Sequence, residues 1–121
     1  MPFGPSDTIR NAVERLLKNG SGFVIFDDGN ENEYVQYSLE KEGLSLMWPA
    51  EGPRVPSTDP AIATLLEAHG LQRGKGYVVE TDGIYAQFGR DVDLVENFTT
   101  AAFEKVYGRS GVSKLNAQVE S

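Results

Sequence analysis

The chain has 121 residues, 40% of them hydrophobic and 24% charged, which are the values of one globular domain and exclude a disordered segment. It has no cysteine, which excludes disulfides, a thiolate nucleophile and a cysteine-ligated zinc site. Its 18 acids against 11 bases leave a net charge of -7, which argues against nucleic acid and anionic membranes as partners, because phosphate binding needs a basic face.

The first residues, Met1-Pro2-Phe3-Gly4-Pro5-Ser6-Asp7, have neither the basic start nor the apolar core of a signal peptide. No apolar run reaches the ~20 residues of a membrane span, so a cytoplasmic protein is expected. A first helix is predicted over residues 7–18. Ser6 is its candidate N-cap, Ile9, Val13, Leu16 and Leu17 form its apolar stripe, and Gly20 is its left-handed C-cap. The period then changes. Residues 23–26 are a short, wholly apolar, β-favouring run, broken by the turn Asp27-Asp28-Gly29-Asn30. Residues 34–39 alternate, with Val35, Tyr37 and Leu39 on one face and Tyr34, Gln36 and Ser38 on the other. After the turn at 40–43, Leu44, Leu46 and Trp48 alternate with Ser45 and Met47. A three-stranded antiparallel meander is the natural reading.

Residues 49–60 hold four of the six prolines, Pro49, Pro53, Pro56 and Pro60. The flanking pieces are too short to be separate domains, so this stretch is read as a surface crossover. A second helix starts with Asp59 as N-cap and Pro60 in the first helical position, where its missing N–H costs nothing. It buries Ile62, Leu65 and Leu66, and ends at Gly70-Leu71 in a Schellman pattern. Residues 77–81 and 84–88 flank Asp82-Gly83, a two-residue loop favouring a type I′ hairpin that pairs Tyr77 with Phe88, Val79 with Ala86 and Thr81 with Ile84. Glu80, Val78, Tyr85 and Gln87 then share the opposite, mixed face. Asp91 caps a third helix with Val95, Phe98, Ala102 and Val106 as its stripe, Phe103 beside it and Gly108 as its stop. Residues 1–108 are expected to form one α+β domain, and the polar residues 109–121 a C-terminal tail. The expected fold is an antiparallel twisted sheet in the order α-β-β-β-α-β-β-α, with the helices packed on the sheet.

No group of residues assembles a catalytic constellation, a cofactor site or a metal site, so the chain reads as a non-enzyme without a cofactor. His69 is the sole histidine. In the last turn of the second helix it suits a structural or capping role, since a triad or a zinc site would lack its other parts. The acids Asp27, Asp28, Glu31, Glu33, Glu40 and Glu42 do not have the calcium-loop spacing, because Gly29 is misplaced for it. Asp91 and Asp93 are explained as cap and helix-dipole partner. Arg73-Gly74-Lys75-Gly76 precedes a strand instead of opening a helix, so it is not a phosphate loop. Asn97-Phe98-Thr99 matches a glycosylation sequon but lies mid-helix. The aromatics carry more information. Tyr34, Tyr37, Trp48, Tyr77 and Tyr85 all fall on predicted strands, and alternation forces some large side chains onto the face away from the helices. Tyr34, Met47 and Tyr85 have no evident core role there and are the candidate partner-binding residues, since aromatics and methionine suit adaptable protein contacts.

The strand at 23–26 after the first helix, the strands at 34–39 and 44–48 before a proline-rich crossover, the 76–88 hairpin and a closing helix with Phe98 and Phe103 together resemble the type III secretion chaperone-like superfamily. That group includes the Tir/CesT-type chaperones, YbjN-type proteins and related actinobacterial peptide-chaperone domains. The resemblance covers residues 6–108 and rests on element order, size and charge. It implies a twisted antiparallel sheet on helices, homodimerisation, and binding of an extended client segment through strand edges and exposed apolar groups. The expected function is therefore a non-enzymatic protein- or peptide-binding module. The alternative is an acidic regulator or immunity-type inhibitor that holds one folded basic protein through the acidic edge at residues 27–42.

Overall fold

A computed structural model of the chain describes residues 5–27, 29, 34–49, 60–80, 83–106 and 115–120. In chain order these form α1 (Pro5–Asn19), β1 (Gly22–Asp27), β2 (Tyr34–Glu40), β3 (Gly43–Pro49), α2 (Pro60–Ala68), β4 (Gln72–Arg73), β5 (Gly76–Glu80), β6 (Gly83–Gly89), α3 (Val92–Ala101) and β7 (Asn116–Glu120). A π-helical segment, Ala102–Val106, continues α3. The fold is α+β, with a seven-stranded sheet in the order β4-β5-β6-β3-β2-β1-β7. Every pairing is antiparallel except that of the two-residue β4 with β5. The element order departs from the expected one by the added strands β4 and β7.

The period-two pattern decides which face of the sheet is covered. Val24 and Phe26 of β1, Val35 and Tyr37 of β2, Leu44, Leu46 and Trp48 of β3, and Ile84, Ala86 and Phe88 of β6 are all buried. They form one core with Ile9, Val13 and Leu16 of α1, Ile62, Leu65 and Leu66 of α2, and Val95, Phe98, Ala102, Phe103 and Val106 from α3 and its continuation. All three helices therefore turn their apolar stripes to the same side of the sheet, as the sequence spacing predicts. Edge-to-face ring contacts run through this core from Phe26 to Tyr37 (6.2 Å between centroids), Tyr37 to Phe88 (5.3 Å), Phe88 to Phe98 (5.2 Å) and Phe98 to His69 (5.5 Å). Such pairs each add about 0.5–1.5 kcal/mol beyond area burial.

The turns at the helix ends follow their residue types. Gly20 has φ +84° and its N–H donates to Leu16 O at 3.1 Å. At the end of α2, Leu71 N–H donates to Leu66 O and Gly70 N–H to Glu67 O, the paired bonds of the Schellman motif. Asp91 caps α3 by accepting from Leu94 N–H at 3.0 Å. The first helix is different from expectation. It opens at Pro5, so Ser6 lies inside the first turn and is not the N-cap; proline is favoured at such a start because the amide it lacks has no helical acceptor. The Asp59 cap, the Gly108 stop and the crossover at 50–59 lie outside the described residues.

Two further expectations are corrected. The second hairpin closes on Glu80 opposite Gly83, with Val79 opposite Ile84 and Tyr77 opposite Ala86. Gly83 is therefore a paired residue of β6 and not part of the expected Asp82-Gly83 loop. The slip is two residues, an even number, so every described side chain of the hairpin stays on its expected face. The segment 109–121, expected as a tail, contains β7, which pairs antiparallel with β1 from Phe23 opposite Glu120 to Asp27 opposite Asn116. Between β3 and β6 the register shifts at Leu44 and Ser45, where Phe88 is the extra residue of a β-bulge. The backbones approach closely there: a Cβ on Gly43, whose φ is +124°, would lie 2.6 Å from the Gly89 carbonyl carbon.

Candidate functional site

The face of the sheet away from the helices carries the other half of each alternating strand. Register lines these residues into rows. Val78 of β5 is opposite Tyr85 of β6, Tyr85 opposite Met47 of β3, Met47 opposite Gln36 of β2, and Gln36 opposite Ile25 of β1. Ile25 is in turn opposite Gln118 of β7. Directly paired side chains point to the same face and stand side by side on neighbouring strands. The row therefore crosses six strands, and four of its side chains are large and apolar. Val78 is 42% exposed and Tyr85, Met47 and Ile25 are partly exposed.

The structure brings together the three residues singled out from the sequence. Met47 and Tyr85 are direct cross-strand partners. Tyr34 lies on the same face, two residues along β2 from Gln36 and opposite Asp27. A shallow depression of about 390 Å³ is lined by Ile25, Asp27, Tyr34 and Gln36. The other strand aromatics, Tyr37, Trp48 and Tyr77, are buried on the helix side. Ile25 is a member of the row that sequence reasoning missed. The run Phe23-Val24-Ile25-Phe26 is apolar on both faces, so alternation alone does not orient it. Only its pairing with the polar face of β2 does so. Val78 carried a weak signal, since the hairpin placed it on the mixed face beside Tyr85.

The charges that these strands place on this face have one sign. Strands β1–β3 and β5–β7 contain no lysine or arginine. The charged residues on their helix-free side are Asp27, Glu40, Glu80 and Glu120. Asp27 is partly committed to local structure, since its Oδ1 accepts from Gly29 N–H at 2.9 Å and from Asn116 Nδ2 at 3.1 Å. Among the described bases, Arg10, Arg15, Lys18, Lys41, Arg73, Lys75, Arg90 and Lys105 all sit on helices, turns or β4. Asp28, Glu31 and Glu33 of the acidic edge lie outside the described residues.

The remaining candidates are placed as follows. His69 Nδ1 lies 2.8 Å from Leu65 O, and its ring packs edge-on to Phe98. Asp91 caps α3, while Asp93 pairs with Arg10, which also donates to Glu96 at 2.7 Å. The two aspartates thus serve separate structural contacts and do not face each other as a dyad. The two hydrogen-bonded carboxylates hold the Arg10 guanidinium above its already high pKa. Within the sequon, Phe98 and Thr99 are buried, and the Thr99 hydroxyl is hydrogen-bonded to Tyr37 Oη at 2.7 Å. Burial pushes the Tyr37 phenol well above the usual range, an effect partly offset by that bond. The Tyr77 phenol is raised by burial first and then by its 2.8 Å hydrogen bond to Glu67 Oε2. Residues 72–75 form a tight turn closed by Lys75 N–H donating to Gln72 O at 2.9 Å, and Gly74 N–H donates to Tyr77 O. No group of three or more metal-ligating side chains occurs among the described residues, and no described helix is long and apolar enough to cross a membrane. No family model matches the chain, and no curated protein or solved structure is significantly similar to it.

Proposed function

We propose that the protein is a non-enzymatic binding module that holds a protein or peptide segment on the face of its sheet opposite the described helices, in the manner of the secretion chaperones that its sequence resembles. The observation that carries this reading is the row Val78–Tyr85–Met47–Gln36–Ile25, in which side chains from five strands meet on one surface. A row of apolar side chains, here interrupted by Gln36 and framed by polar residues, is a form that protein-binding surfaces take. Methionine and tyrosine at its centre suit contacts that must adapt to varied sequences. The reading carries with it a cytoplasmic location and a homodimer formed away from this face.

The test is a double substitution, Met47→Ser with Tyr85→Ser, probed on an array of immobilised short peptides of unrelated sequence. Peptides bound by the native chain are expected to be lost, while circular dichroism and the thermal midpoint stay close to native. Binding that survives the double substitution in a folded protein would remove the face from consideration. A second reading, an acidic regulator of one folded basic protein, is favoured by the single sign of charge on the strands. It differs in needing a folded partner, so unfolding that partner would abolish binding.

A further inference from the structure

We infer that the segment received by this face is cationic and amphipathic, with apolar side chains seated on the central row and lysines or arginines meeting the acids at its margins. The inference rests on the binding face proposed above and adds the chemistry of its occupant. Adjacent strands lie ~4.8 Å apart, so the row from Val78 to Ile25 spans about 19 Å, the reach of about six extended residues. Glu80 lies two residues along β5 from Val78, and Asp27 two residues along β1 from Ile25. On the other side of the row, Glu120 is opposite Phe23, and Glu40 stands four residues along β2 from Gln36. A step of two residues along a strand is about 7 Å, which the long stem of a lysine or arginine covers by folding back beside the seated apolar side chains; Glu40, four residues off, lies about 13 Å out and adds to the field at that margin. The acids therefore flank the apolar strip on both sides, and no base on these strands offsets them.

This arrangement selects among occupants by sign. A phosphate polymer or an anionic lipid surface would be repelled. A second copy of the chain laid face to face would set acid against acid, and each copy carries a net charge of -7. A neutral apolar segment would use the row and leave the acidic margin idle. A segment alternating apolar and basic residues uses both, since opposite potentials steer the encounter and suppress wrong partners.

The experiment uses three synthetic peptides of about twelve residues, all with the same alternate Leu, Val and Tyr, and with Lys, Ser or Glu at every intervening position. Fluorescence anisotropy is read with the full chain at low and at moderate salt. The Lys peptide is expected to bind about tenfold tighter than the Ser peptide at low salt, the combined effect of a few exposed ion pairs, and the gap is expected to narrow as salt rises. The variant Glu40→Gln/Glu80→Gln/Glu120→Gln should bring the Lys peptide down to the affinity of the Ser peptide; Asp27 is left in place because it holds Gly29 and Asn116. Equal binding of the Lys and Ser peptides, both lost in Met47→Ser/Tyr85→Ser, would overturn the cationic occupant and leave the face reading standing. A Lys preference that survives the triple Glu→Gln variant would place the attraction elsewhere and overturn the inference. Peptide binding indifferent to Met47→Ser/Tyr85→Ser would sink the face reading itself, as would a self-association abolished by that double substitution, which would assign the face to a second copy.

Discussion

Tyr37 shows how one side chain ties the sheet to the helix layer. Its ring is fully buried between Phe26 and Phe88, and its hydroxyl hydrogen-bonds the buried Thr99 of α3. Ionising it would place an uncompensated charge in the core, so its folded-state pKa lies above the unfolded value of about 10. The folded chain then binds this proton more tightly than the unfolded chain. The stability linked to the neutral phenol is complete below pH ~10 and is lost as pH rises above it. Tyr77, shifted in the same direction, adds to the same alkaline loss. Tyr37→Phe is expected to cost about 1–2 kcal/mol at neutral pH, because Thr99 keeps a buried hydroxyl without its partner. Above pH 10 the variant should lose stability less steeply than the native chain. Urea unfolding at pH 7, 10 and 11 checks both parts, and parallel curves for the two proteins would show that Tyr37 does not carry the alkaline slope.

Among the elements, β1, β2, β3, β5 and β6 were legible because each is half-buried and alternates, or is apolar throughout. The face of every residue in the second hairpin was also legible, although its register was not. An Asp-Gly pair is a strong loop signal, but pairing that closes on Glu80 and Gly83 keeps the same residues in the core, so periodicity does not distinguish the two registers. Strand β7 was not legible. Of Asn116-Ala117-Gln118-Val119-Glu120, only Val119 is partly buried, because an edge strand can stay polar when backbone pairing and one neighbouring helix hold it. Met47, Tyr85 and Tyr34 could be placed on one face from alternation, but that Met47 and Tyr85 are cross-strand partners, and that Ile25 joins their row, depends on strand order. What anchors β7 is Leu115, which is buried just before it. Leu115→Ala is expected to destabilise the fold by about 2–4 kcal/mol, read as a lower urea midpoint. A free tail would give no change, so an unaltered midpoint would mean that β7 does not contribute to the fold.

At the scale of the whole molecule, the net charge of -7 acts on folding and on binding with opposite signs. Like charges raise the free energy of the compact state relative to the expanded one. Raising ionic strength from 0.01 to 0.15 M shortens the screening length from about 30 to about 8 Å and relieves that repulsion. The ion pairs Arg10 makes with Asp93 and Glu96 lose strength over the same range. They join α1 to α3 but are partly solvent-exposed, and such pairs contribute about 0.2–1 kcal/mol each, of which screening removes only a part. Repulsion spread over the whole chain is the larger effect, so the thermal midpoint should rise with salt by about 2–3 °C, the shift that ~0.5 kcal/mol produces in a domain of this size. The affinity for a cationic segment should fall across the same interval, because there the same acids attract. The two measurements, a melt followed by circular dichroism and a titration followed by anisotropy, use one buffer series and one protein. A midpoint that falls with salt would mean that local ion pairs outweigh global repulsion. An affinity that does not fall while the midpoint rises would mean that the acids act on the fold and not on the partner.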